Sequence, residues 1–168
     1  MGTLWLIGMM GAGKTTVGRA VARRAAMPFV DLDDEIAAAA GATIPEIFAG
    51  SGEAAFRDLE AAAVAGVAGR QAVVAAGGGA VLEERSRRVM RASGTVVWLQ
   101  APASELAVRV GRGPGRPLLA GEDPAGRLDV LLRAREADYR AAAHHRVDTT
   151  GRDAEQIAEE VAGLWTRS

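Results

Sequence analysis

The sequence predicts an α/β fold in three layers, a parallel sheet covered by helices on both faces. Three observations predict it. Short apolar runs of strand length alternate with longer segments whose apolar residues recur at helical spacing. Successive runs are separated by enough chain for the crossover that a parallel connection requires. The first run ends in a glycine-rich loop that opens directly into a helical pattern.

The apolar run from Thr3 to Ile7 stops at Gly8, and from Lys14 onward Val17, Val21 and Ala25 line one helical face. Met27-Pro28 breaks that helix, Phe29-Val30-Asp31 reads as a short buried strand, and residues 33–40 turn helical until Gly41. Thr43, Pro45 and Glu46 mark another helix start, since proline is tolerated in a first turn, and Gly50, Ser51 and Gly52 punctuate it. A separate helix is expected from about Glu53 to Val67. Ala72 to Ala76 is short enough for a buried strand and ends in Gly77-Gly78-Gly79. Residues 83–92 are helical, Thr95 to Leu99 is the clearest strand, and Pro102 opens a helix that fades at Gly111. The stretch at about 112–124 is rich in Gly, Pro and Arg, has no periodic face and is long for an internal connection, so it reads as a lid. A helix over about 125–143, a short strand at Arg146-Val147-Asp148 and a closing helix from Asp153 to Trp165 complete the chain.

The 168 residues fit one domain, and 49% apolar with 24% charged residues is ordinary for a globular protein. A net charge of −1 gives no basic face for nucleic acid, so an anionic ligand must be held locally. There is no cysteine for a disulfide framework, no uncharged apolar stretch long enough to span a membrane, and no charged leader before the short apolar N-terminus. A cytoplasmic monomer is expected, with neither nucleic acid nor membrane as partner. Lys14 is the one lysine among 20 basic residues, so its place has a physical reason.

That place is the loop Gly8-Met9-Met10-Gly11-Ala12-Gly13-Lys14-Thr15, a full match to G-x-x-x-x-G-K-[ST] between strand and helix. The glycines let backbone amides wrap a polyphosphate, the helix N-terminus adds a positive end, Lys14 reaches the β and γ phosphates, and the Thr15 hydroxyl can ligate Mg²⁺. A planar guanidinium would replace the compact ammonium poorly. Asp31 and Asp33 stand two apart at a strand end and face one side of the sheet, so one could hold Mg²⁺ through water while the other contacts an acceptor hydroxyl. The alternative is helix capping, for which Asp34 is the expected residue. Arg57 lies within reach of Glu53 and Glu60 for intrahelical ion pairs, and Arg116 could close over a transferring phosphoryl group. His144 and His145 are expected on the surface at a helix end. A guanine-reading Asn-Lys-x-Asp motif is impossible in a chain without asparagine, and the strand before Gly77 lacks the aspartate with which many ATPases hold Mg²⁺.

Asp31-Leu32-Asp33, Ile44-Pro45-Glu46-Ile47-Phe48, Gly52-Glu53-Ala54-Ala55-Phe56-Arg57, the triple glycine before Ala80-Val81 and Arg116-Pro117-Leu118-Leu119, added to the phosphate loop, resemble the shikimate kinase family over nearly the whole chain. The resemblance implies a three-layer P-loop kinase fold of the nucleoside-monophosphate-kinase type, with a five-stranded parallel sheet and a lid. It implies a single kinase domain over 1–168, with an acceptor-binding region at about 33–60 and the lid at about 112–124. The implied reaction moves the γ-phosphoryl group of ATP to the 3-hydroxyl of shikimate, on the route to chorismate and aromatic amino acids, with Mg²⁺ as cofactor. Another small-molecule kinase, such as a gluconate kinase, is the alternative.

By motif, the resemblance gives Asp33, Lys14 and Arg116 catalytic roles. It gives Gly11, Ala12, Gly13, Lys14, Thr15 and Thr16 to ATP, joined by Arg109, Arg116 and Arg152. Asp33, Arg57, Gly78, Gly79 and Arg135 would bind shikimate, the two arginines taking its carboxylate, and Thr15 and Asp31 would serve the metal. Many members place a proline against the adenine where this chain has Asp153-Ala154.

Overall fold

The computed structural model describes residues 2–111 and 123–167. Its strands are β1 (Thr3–Ile7), β2 (Phe29–Asp31), β3 (Val73–Ala75), β4 (Gly94–Gln100) and β5 (His145–Asp148). Its helices are α1 (Lys14–Ala25), α2 (Leu32–Ala40), α3 (Ile44–Val67), α4 (Glu84–Ser93), α5 (Ala103–Val110), α6 (Pro124–Ala142) and α7 (Ala154–Thr166). All strand pairs are parallel, in the order β2-β3-β1-β4-β5. The helices flank the sheet in two groups, α1 against α7 and the series α3, α4, α6, α5 packed in succession.

Every residue of β1 is buried, its alternating side chains included, as a central strand covered on both faces demands. Leu4, Trp5, Leu6 and Ile7 form the middle of the main core with Val73 and Val74 of β3 and Val96 to Leu99 of β4. Because the strands run one way, their C-terminal ends share one edge, where ligands bind in open α/β sheets. The register sets the alignment: Leu6 pairs with Ala75 and Ala75 with Asp31, so Gly8, Gly77 and Asp33 each lie two residues past one row. A second, smaller apolar cluster of Ile36, Ile47 and Phe56 holds α2 to α3, apart from the main core.

Residues 44–67 are two helical segments that meet at Gly52, whose φ of 81° and ψ of 175° are non-helical and open to glycine, so the chain divides where the Gly-Ser-Gly signal predicts. Other expectations need correction. Strand β2 is half-buried because it is an edge strand. The cap of α2 is Asp31, whose carboxylate accepts from the Asp33 N–H, while Asp34 stands exposed in the first turn. Neither histidine is helical. His144 is on the surface after α6, its N–H donating to Val96 O at 2.8 Å and its Nδ1 accepting from Val96 N–H at 3.0 Å, while His145 opens β5. Asp123 caps α6 and Pro124 opens it, so these two residues belong to that helix and not to the expected lid. The rest of that segment, with Arg116, lies outside the described residues. No helix among the described residues is long and apolar enough to cross a membrane.

Candidate active site

The phosphate loop is built as its sequence demands. Gly11 and Gly13 have φ of 80° and 92°, values that side-chain-bearing residues rarely adopt, and Gly13 caps α1. A Cβ on Gly11 would also meet Leu106 O at 2.9 Å, so the loop lies directly on α5. The first-turn amides of α1 face the loop, and Lys14 Nζ donates to Gly8 O at 2.8 Å and Met9 O at 3.0 Å, holding the ammonium across it. Ala12, buried, and Thr16, exposed on the first turn, complete the segment.

Asp31 ties this loop to the end of β2, the edge strand. Its Oδ2 accepts from the Thr15 hydroxyl at 2.9 Å and its Oδ1 from the Asp33 N–H at 3.1 Å, so one carboxylate fixes both the loop and the start of α2. The pair fits Mg²⁺, which takes one or two protein oxygens and fills its octahedron with phosphate oxygens and water. The described residues hold no cluster of three acidic or histidine side chains, so an all-protein metal cage is not the design there.

Around the glycine loop after β3, four charged side chains converge. Arg57 donates to Glu60 Oε2 at 2.7 Å and to Glu53 Oε1 at 3.3 Å. Glu60 is 1% exposed, and burial pushes its carboxyl above the usual range, with the nearby Asp33 charge adding to the rise and Arg57 opposing it. A Cβ on Gly77 would lie 2.6 Å from Glu60 Oε1 and 3.1 Å from Asp33 Oδ1, so a side chain there would evict one of the carboxylates. A Cβ on Gly79 would lie 2.2 Å from Arg57 Nη1, so the guanidinium rests on bare backbone. Arg135, 9% exposed on α6, donates to Gly78 O at 3.3 Å, and no carboxylate among the described residues pairs with it. Tyr139, one turn later, donates to the same oxygen at 2.5 Å.

On the far side of the phosphate loop, Arg109 bridges two segments. It donates to Gly11 O at 3.3 Å, to Thr149 Oγ1 at 3.0 Å and to Thr149 O at 2.9 Å, and pairs with Glu105. Arg152 also follows β5, but its guanidinium donates to Asp148 O at 2.9 Å and pairs with Glu160 of α7 at 2.8 Å.

The structure thus gathers Lys14, Thr15, Asp31, Asp33, Arg57, Gly78, Gly79 and Arg135 at the C-terminal edge of β1, β2 and β3, with Arg109 beside the loop. Arg152 is turned toward α7. Sequence reasoning missed the roles of Glu60 and Tyr139. A signal existed for the first, because Glu60 falls in line with Phe56 and Val64 on the apolar face of α3, where a carboxylate is out of place. Tyr139 sits four residues after Arg135, on the same helical face.

A family model for shikimate kinase matches residues 10–164. A shikimate kinase of Cupriavidus pinatubonensis is 46% identical over 159 residues, covering 94% of this chain and 83% of its own. The structure of shikimate kinase from Acinetobacter baumannii in complex with shikimate superposes with a TM-score of 0.93 at 38% identity, over 99% of this chain and 94% of that one. A gluconokinase from Sinorhizobium meliloti, with a TM-score of 0.59 and 19% identity over 99% of this chain and 92% of its own, shares the fold alone. With the family model covering most of its length and relatives alike nearly end to end, the chain belongs to the shikimate kinase family.

Proposed function

We propose that the protein transfers the γ-phosphoryl group of ATP to the 3-hydroxyl of shikimate. The observation that carries the reading is Arg135, a buried guanidinium that forms no ion pair among the described residues and lies at Gly78 of the glycine loop, beside Arg57 at Gly79. A buried cation is costly unless an anion joins it, and a paired guanidinium fork suits a carboxylate. An acceptor that is both a carboxylic acid and a polyol satisfies that arrangement, with its carboxylate between Arg57 and Arg135 and its hydroxyls toward Asp33. The relatives named shikimate kinase support the same acceptor.

In this reading the loop amides and Lys14 hold the triphosphate, and Arg109 sits between the loop and Thr149, where the nucleotide base would lie. Asp33 accepts the proton of the attacking hydroxyl as its oxygen bonds to the γ-phosphorus. The bond from that phosphorus to the β–γ bridging oxygen breaks, and ADP leaves. Little covalent chemistry falls to the side chains, so alignment and charge neutralisation supply most of the rate. Thr15 and Asp31 would hold Mg²⁺, which when bound neutralises charge on the phosphate oxygens. Arg116 is assigned to the transferring group, and residues 112–122 to a lid, on sequence context alone. The absence of cysteine supports action in the cytoplasm.

An ADP-release assay over shikimate, quinate, gluconate and AMP tests the reading, with shikimate expected to be turned over in preference to the others. Preferred turnover of any other acceptor would overturn it. Asp33→Asn is expected to lose turnover while retaining ATP binding by calorimetry, and full activity in that variant would remove Asp33 as the base.

A further inference from the structure

Tyr139 is fully buried on α6, its ring stacked on Trp98 of β4 at 5.3 Å between centroids and 17° between planes. Its hydroxyl donates to Gly78 O at 2.5 Å, the shortest side-chain contact that this carbonyl receives, while Arg135 Nη1 reaches the same oxygen only at 3.3 Å. Burial pushes the phenol up to about 12, so it remains an O–H donor throughout the working pH range.

Gly78 O and Gly79 N–H belong to one peptide group, and in a trans peptide they point in opposite directions. Pinning the oxygen toward α6 therefore turns the Gly79 N–H away from α6. That amide has no acceptor among the described residues, although Gly79 is buried and lies under the Arg57 guanidinium. A buried amide without a protein acceptor marks a place where a ligand oxygen belongs. Glycines with no side chain on either end leave the peptide free to rotate unless something holds it.

We propose that Tyr139 is a positioning residue for the acceptor, fixing the Gly78–Gly79 peptide so that the Gly79 N–H is presented to an oxygen of the bound substrate. The effect acts on the acceptor and not on the nucleotide. The inference rests on the proposed acceptor reading, and deepens it by naming what holds the backbone donor in place.

Tyr139→Phe removes the hydroxyl and keeps the ring on Trp98. The expected result is a KM for shikimate raised about tenfold, the equivalent of one ordinary hydrogen bond, with the KM for ATP unchanged. Trp98→Phe, which trims the ring beneath the phenol, is expected to lower the melting temperature and leave the shikimate KM alone. An unchanged shikimate KM in Tyr139→Phe, or an equal rise in both variants or in both substrates' KM values, overturns the proposal and assigns the tyrosine to packing. Failure of the acceptor reading looks different, since the unmodified protein would then leave shikimate untouched.

Discussion

Gly79→Ala is the sharpest probe of the acceptor pocket. A Cβ at this position would lie 2.2 Å from Arg57 Nη1 and 2.6 Å from both Cζ and Nη2, where ordinary contact begins at 3.4 Å. The guanidinium must therefore retreat by about 1.2 Å, the difference between 2.2 and 3.4 Å. It cannot do so freely, because Nη1 is held at 2.7 Å by Glu60, a carboxylate itself fixed in the protein interior. The backbone is no obstacle, since Gly79 is not among the glycines with positive φ, so alanine fits the chain and the nearest clashes all fall on the Arg57 guanidinium. Displacing a substrate-orienting group by about 1 Å costs on the order of a hundredfold, or about 2.7 kcal/mol of transition-state stabilisation. Steady-state kinetics should show kcat/KM for shikimate down by that factor, calorimetric ATP affinity unchanged and a melting temperature within a few degrees of the parent. If shikimate kcat/KM stays within about twofold, Arg57 does not touch the acceptor in the manner its position suggests.

Two further outcomes follow from neighbouring contacts. Thr15→Val keeps the shape of the side chain and removes the hydroxyl now bonded to Asp31, so about tenfold more Mg²⁺ should be needed for half-maximal activity, with shikimate KM unchanged; an unaltered Mg²⁺ titration would remove Thr15 as a ligand. For Glu60, the folded carboxyl holds its proton more tightly than the unfolded one, so the folded state binds more protons between 4.5 and the raised value and the parent loses stability as pH climbs through that interval. Glu60→Gln lacks this slope, and its melting temperature relative to the parent should rise with pH from 4.5 upward; parallel melting curves would show that burial does not raise this carboxyl.

The phosphate loop was legible because its parts are contiguous: eight residues in a row supply glycine geometry, ammonium and hydroxyl, and a strand and helix on either side give them context. The strands were legible for a related reason, since a buried parallel strand such as Val73–Ala75 must be apolar on both faces. The proposed acceptor pocket draws on residues 33, 57, 60, 77–79, 135 and 139, and each in isolation is ordinary. Arg57 with Glu53 and Glu60 reads as a routine helical ion pair, and it is one by geometry; only the fold shows that Glu60 is buried and that Gly79 passes beneath the guanidinium. The division at Gly52 was legible because Gly-Ser-Gly is a strong turn signal, and the packing of Phe56 on Phe48, with ring centroids 4.6 Å apart, joins the two helical segments across it. Asp31 was placed in a strand and so was not considered as the helix cap that it proves to be.

Nineteen of the 20 basic residues are arginine, so residue type alone separates no functional arginine from a surface one. Environment does. Arg88 and Arg133, each with side chains 78% exposed, pair with carboxylates one helical turn away, and exposed pairs of this kind contribute little to stability. Arg57 and Arg135 are withdrawn from water, which costs more than a surface pair returns, so their retention calls for a compensating charge. Arg57 has one in Glu60 at 2.7 Å; Arg135 forms no ion pair among the described residues, donates to the Gly78 carbonyl at 3.3 Å and shares the more distant Glu60 charge with Arg57. The carboxyl that compensates Arg57 is the same one whose ionisation burial disfavours. In the proposed reading the one buried carboxylate of Glu60 serves both guanidiniums, and an anion from solution completes the pocket. A carboxylate on the proposed acceptor would supply that charge where the neutral hydroxyls of a sugar would not, with the polyol ring behind it toward Asp33 and the phosphate loop at the same sheet edge. In that reading recognition of the acid and alignment of the alcohol are one event, because both guanidiniums lie against the glycine loop and Asp33 lies beside it.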